Sequence, residues 1–268
     1  MTSPGQVPDV HRRAPAKAAF RRSAGFAVGL IGAVLASRGP AQGADVGSIS
    51  SQADSSDPRN ISGVWWAPAY THALLPTSGE PIPFTSQGSA AYGKIQSDLK
   101  SGKQLDNAKH LCLPQGTPRV MTTAYPFLIV QTPGQVSEMF EENRIYRIIA
   151  LNAKHQDPDL WDPSFMGDAV GHWEGQTLVI DTTNFKTVTF LDDSGLPHSD
   201  RLHVVERLSK AGAKNLVDAI TISDPVMFAK PWTARLAFVS RPDIRITTDW
   251  VCGEAHRDIS SVQGAPHR

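Results

Sequence analysis

Residues 126–151 read PFLIVQTPGQVSEMFEENRIYRIIAL. Three apolar-rich runs, PFLIVQT, VSEMFEE and IYRIIAL, are separated by PGQ and by NR. Alternating apolar and polar positions bounded by Pro, Gly and Asn predict a three-strand antiparallel meander. The same pattern continues towards the C-terminus. GDAVGHWE and TLVIDTTNF predict a hairpin turned by Gly175-Gln176. LHVVERLS and LVDAITIS predict another around KAGAKN, and TARLAFVS with IRITTDWVC a last one around Arg241-Pro242-Asp243. ISGVWWAPAY, residues 61–70, supplies a first strand.

One segment breaks the period. In residues 85–103, TSQGSAAYGKIQSDLKSGK, Ala91, Ile95 and Leu99 recur at helical spacing, with Thr85 or Ser86 as cap and Gly102 as stop. HLCLPQGTPR, residues 110–119, reads as a proline-pinned loop. No βαβ alternation occurs, which excludes a parallel sheet as the main architecture. The fold class expected is all-β. It is an antiparallel up-and-down barrel of about 8–10 strands with one or two short helices and a calyx-like interior. A two-sheet sandwich is the alternative.

The first 43 residues predict a secretory signal peptide. A basic region with Arg12, Arg13, Lys17, Arg21 and Arg22 precedes the apolar run AGFAVGLIGAVLA, and Ala41 and Gly43 stand at the −3 and −1 places. Residues 44–59 then read as a flexible linker, 60–258 as the barrel domain and 259–268 as a disordered tail. An exported protein, periplasmic or extracellular, is expected. Removing residues 1–43 takes away six Lys/Arg and one Asp from 26 of each sign, leaving 20 basic against 25 acidic residues and a net charge of −5. That balance, with no basic stripe, argues against nucleic-acid partners. No second long apolar run follows, so no membrane span is expected after signal removal. Cys112 and Cys252 are the only cysteines and sit in no CxxC pair; in an oxidising compartment a disulfide between them is the default.

Gly63-x-Trp65 on a first strand followed by a meander is similar to the lipocalin-like barrels. WEGQTLVIDTTNF, PHSDRLHVVER and TISDP, in this order over roughly residues 110–257, resemble a widespread group of exported bacterial proteins of unassigned function. That group reads WEGDTLVVDT, where this chain has Gln176 and Ile180. The resemblance brings no catalytic residues with it.

Strand periodicity sorts the candidate chemistry. In the Gly175-Gln176 hairpin, Trp173, Leu178, Ile180 and Thr182 share one face; Asp168, His172, Glu174, Val179 and Asp181 share the other. The second face is the solvated one if the first is core. Asp181 is still notable, because Asp is disfavoured in strands and needs a partner if buried; Arg144, Arg147 and Arg207 are candidates. In 197–207, PHSDRLHVVER, Glu206 lies on the apolar face with Leu202, Val204 and Leu208, which aims it into the barrel. A salt bridge to an Arg is its structural alternative. His198 stands at the strand entrance, where an imidazole can flank a cavity mouth.

An acid–base enzyme follows from these positions. Glu206, Asp181 and His198 are the candidate catalytic groups for a lyase, isomerase, hydratase or hydrolase. Arg144, Tyr146 and Arg207 are candidates to hold an oxygen of the substrate. Trp161 and Trp232, on Pro-rich loops, are candidates to cover it. The substrate is a small apolar or aromatic molecule. A non-catalytic, lipocalin-like binder of such a ligand is the alternative. Neither a metal nor an organic cofactor is expected: HExxH, phosphate-loop and dinucleotide fingerprints are absent, and His155, Asp157, His172, His198, Asp200 and His203 lack a recognised ligand spacing.

Overall fold

The computed structural model describes residues 57–247. The predicted signal peptide, all but the last three residues of the linker, and the predicted tail lie outside the described residues. So do Cys252 and, with it, the expected disulfide.

Among the described residues, nine strands close into one barrel in sequence order. They are β1 Gly63–Trp66, β2 Phe127–Thr132, β3 Gln135–Phe140, β4 Tyr146–Leu151, β5 Asp168–Glu174, β6 Thr177–Thr183, β7 His203–Lys210, β8 Asn215–Ser223 and β9 Trp232–Ser240. The Gly175 turn, at φ +60°, sets the expected register, pairing Glu174 with Thr177, Trp173 with Leu178 and His172 with Val179.

One strand pair corrects the purely antiparallel expectation. β4 and β5 run parallel, pairing Ala150 with Val170 and Leu151 with Gly171. Parity requires this: a ring of alternating directions needs an even number of strands, so nine must include a parallel neighbour. The connection 152–167 is long enough for the return crossing that a parallel pair demands. The last hairpin is also revised. β9 closes the barrel antiparallel on β1, with Trp65 opposite Ser240, and residues 244–247 form no strand.

The inward positions are packed. Phe127, Ile149, Leu178, Ile180, Leu208 and Phe238 are all buried, and Phe238 meets Phe127 edge-on with centroids 4.9 Å apart. Packed side chains therefore take the place of the expected calyx.

The predicted helix is α1, Ser86–Lys100, capped by Thr85, whose hydroxyl accepts from the Gly88 amide. It seats on the β8–β9 connection, where a Cβ on Gly88 would lie 2.0 Å from the Met227 carbonyl oxygen. A one-turn α2, Asn107–His110, and short 3₁₀ turns at Arg119–Thr122 and Glu142–Arg144 complete the described elements.

Candidate active site

Four ionisable side chains stand inside the barrel. Register places Glu138 opposite Arg147 across β3 and β4. Arg147 Nε donates to Glu138 at 2.6 Å, and its two terminal nitrogens donate to both oxygens of Glu206 at 2.6 and 2.7 Å. Glu206 thus points inward as its strand face predicts, but it meets a guanidinium rather than a ligand. Asp218 on β8 is the third carboxyl. No N–H or O–H of another described residue reaches either of its oxygens. Burial, reinforced by the Glu206 charge, holds its pKa well above the usual range and so favours its protonated form. Burial likewise raises Glu138 against the pull of Arg147. One cation facing three dry carboxyls is stable only because protons neutralise part of the charge.

Asp181 lies on the other side of the wall. Its β7 neighbour is Val205, whereas Glu206 neighbours Ile180. It gathers two histidines that the sequence separates widely. His155 Nε2 and His203 Nε2 each lie 2.9 Å from the same Asp181 oxygen, and His155 Nδ1 lies 3.0 Å from Asp168. For both His155 nitrogens to donate, the ring must carry both protons. Burial works against this, but hydrogen bonds to Asp181 and Asp168 raise its pKa overall. These half-exposed His–Asp pairs are disposed for acid–base chemistry. They also tie the 152–167 connection to the barrel.

His198 is in a third place. It is buried against Phe185, its Nδ1 lies 3.0 Å from the Ser199 carbonyl, and burial lowers its pKa. The candidate catalytic groups Asp181, Glu206 and His198 therefore do not come together: two of them lie on opposite faces of one wall, and the third packs at a loop. Arg207 pairs at the surface with Glu174 at 2.7 Å. Trp161 is exposed, while Trp232 is buried edge-on to Phe228, so the two do not form a common lid. Arg144 and Tyr146 do line a cavity, of about 490 Å³, together with Ile148, Phe165 and Met166. It opens because Tyr146–Ile149 has no β5 partner along the parallel seam.

The strongest convergence is one that sequence reasoning missed. In the β3–β4 turn, Asn143 and Arg144 both have positive φ, 55° and 54°. Such conformations cost non-glycine residues on the order of 1 kcal/mol or more each. They aim the Glu142 side chain inward, leaving the residue 8% exposed. Gln115, from the proline-pinned loop, donates its Nε2–H to Glu142 Oε1 at 2.6 Å. The Thr123 hydroxyl gives its one proton to the Val120 carbonyl at 2.9 Å. Glu142 Oε2 and Gln115 Oε1 are left buried and without partners among the described residues.

Both residues line a cavity of about 320 Å³, along with Tyr70, Lys109, Tyr125 and Asp193. Behind it, fully buried Arg119 donates to both oxygens of Asp106 at 3.0 and 2.6 Å and to Asp193 at 2.7 Å. Lys109 reaches Asp193 at 3.2 Å, and the Tyr70 hydroxyl also donates to it. Burial alone would raise Asp193, but Tyr70, Arg119 and Lys109 hold its carboxyl below the usual range. Burial pushes Glu142 the other way, up to about 7, with the neighbouring Thr123 hydroxyl and the Arg119 and Lys109 charges offsetting only part of the effect. Two carboxyls in one site are thus driven apart, one ionised and one poised near neutrality, the pattern that divides acid and base roles.

In the sequence, Glu142 sits in EENR and looks like a turn carboxylate in water. The only local sign is Asn143, a residue that tolerates left-handed backbone. Among the described residues no group of three or more His, Cys, Asp or Glu is disposed to hold a metal ion, and no helix is long and apolar enough to cross a membrane. No family model matches the chain, and no curated protein matches its sequence.

Proposed function

We propose that this protein is an exported enzyme that needs no organic cofactor and moves protons on a small apolar or aromatic molecule. Lyase, isomerase, hydratase and hydrolase chemistry all fall within that description. The observation that carries it is Glu142: a buried carboxyl at the edge of a cavity, clamped at one oxygen by Gln115, unpartnered at the other, and poised near pH 7. A carboxyl so poised is present in both forms at neutral pH and serves as base or acid. Oε2 takes the substrate proton, while the Gln115 N–H fixes the carboxyl plane.

A non-catalytic binder is the second reading. It is favoured by the groove beside β4, where Tyr146 and Ile148 are 65% and 50% exposed. The two readings separate once a thermal-shift screen has identified a ligand. Catalysis predicts turnover whose kcat/KM changes through pH 7, and a loss of about 10²–10⁴-fold in Glu142→Gln. Ligand binding without turnover, or turnover untouched by that substitution, would defeat the catalytic reading at this site.

A further inference from the structure

The last described residues already lie against the barrel. After β9, Ile244 and Ile246 are half-buried while Arg245 and Thr247 are exposed. That alternation is the period of an extended segment lying on a surface. Ile246 and Thr247 border a cavity of about 260 Å³ on the outer face of β3–β4, beside Met139 and Tyr146. The Thr247 amide donates to Glu141 Oε2 at 2.8 Å, which anchors the chain at the residue next to Glu142.

A second anchor follows closely. Cys112 is disulfide-bonded, and the only other cysteine in the chain is Cys252, five residues beyond Thr247. Cys112 stands three residues before Gln115 in the same proline-pinned loop, and Gln115 is the donor to Glu142. The segment from Thr247 to Cys252 thus starts beside one member of the Gln115–Glu142 bond and ends at the loop that carries the other. Five extended residues span about 17 Å, and a disulfide holds its Cα atoms about 5–6 Å apart. A tether so short crosses the ground between its anchors, which is the 141–144 turn and the Gln115 loop. Asn143 of that turn borders the Glu142 cavity, as do Ala108 and Tyr125. The period begun at Ile244 and Ile246 turns Trp250 and Cys252 towards the protein and Asp249 and Val251 to water. Cys252 then faces as a partner of Cys112 must, and Trp250 is the largest side chain of the crossing.

We propose that residues 248–252 form a strap across the Glu142 cavity, fastened by a Cys112–Cys252 disulfide, with Trp250 turned towards the cavity. The bond forms from two thiols, whose two protons and two electrons pass to a disulfide donor. The strap rests on its two anchors; its part in catalysis rests on the reading of Glu142 given above. Granted that reading, the strap keeps bulk water from the carboxyl, and Trp250 is a positioning residue that shapes the space a substrate enters and moves no proton.

Two measurements on the oxidised full chain test this. A non-reducing peptide map should find Cys112 joined to Cys252 of the same chain. Hydrogen exchange in 110–125 and 141–147 should be slow, and should quicken about fivefold or more in Trp250→Ala as the cover is lost. β6, β7 and β8 should exchange as before, and Trp250→Phe should stay close to the wild type. If Trp250→Ala does not fold, Cys252→Ser carries the same comparison. An unlinked Cys112, a link to a second copy, or exchange in those two segments that ignores the substitution would overturn the strap. The reading of Glu142 is judged apart, by urea melts of Glu142→Gln against the wild type across pH. No pH-dependent gap between those two proteins would defeat that reading and leave the strap to the map and the exchange. A gap that shrinks in the Trp250→Ala background shows the strap shielding the carboxyl; a gap that does not would overturn its shielding role.

Discussion

Replacing Glu142 by Gln should make the protein more stable and less active at once. The side chains are nearly isosteric, and the amide oxygen of the variant can still accept the Gln115 N–H. What disappears is the titration. Wild-type Glu142 has its pKa raised from 4.5 to about 7 by burial. The folded state therefore holds this proton more tightly than the unfolded chain does. The stability linked to it is fully present below pH 4.5 and is lost as pH rises through 7. At about 1.4 kcal/mol per factor of ten, the gap between the folded and unfolded pKa costs the wild type about 2 kcal/mol at pH 6 and about 3 kcal/mol at pH 8. The Gln variant has no such cost. Urea melts of both proteins at pH 4.5, 6 and 8 should nearly coincide at the lowest pH and separate by those amounts above it. In thermal melts, about 3 kcal/mol corresponds to roughly 6–12 °C for a domain of this size. Stability differences that stay constant across the series would refute the claim that Glu142 is buried and poised near neutrality, and the proposed base would go with it.

Three further perturbations probe the rest of the framework. Arg147→Met strands three buried carboxyls without their cation and should cost about 3–5 kcal/mol at pH 7; urea melts should show a smaller loss at pH 4, because the carboxyls then take up protons. His155→Ala removes the clamp on the 152–167 connection. Because the folded pKa of His155 is raised, the clamp should be complete below pH 6.5 and be lost as pH climbs through that raised value. Hydrogen exchange in 152–167, corrected for its intrinsic pH dependence, should therefore rise with pH in the wild type and be uniformly fast in the variant. Gly88→Ala drives a methyl into the Met227 carbonyl, 2.0 Å from the new Cβ, and should cost about 1–3 kcal/mol. Faster exchange confined to α1 and the β8–β9 connection would locate that damage.

Much of the barrel is legible in the sequence because its information is local. Alternation in 126–151, the Gly175-Gln176 turn and the Thr85 cap each act over a few residues, and the strands, register and helix they imply are found. The inward aim of Glu206 is readable for the same reason, since a pleat sends side chains to alternate faces. Its partner is not readable: Arg147 lies 59 residues away, on a strand that becomes its neighbour only when the barrel closes.

The candidate site follows the same division. Strand alternation puts Asp181 on the solvated face but leaves open whether the strand turns it inward, and the histidines it holds come from the β4–β5 connection and from β7, 26 and 22 residues distant. Glu142 reads as a wet turn residue. Two left-handed residues and a loop 27 positions upstream bury it, and no periodicity records either.

Sequence by itself therefore determined the strand alternation, the turns and the face each strand residue takes, because short-range sterics and hydrophobic period encode them. Tertiary structure alone decided the parallel β4–β5 seam, the closure of β9 on β1, the packed interior and the pKa of Glu142. Those depend on strand parity and on which distant groups exclude water from a given carboxyl, and desolvation is a property of the assembled surroundings rather than of the residue.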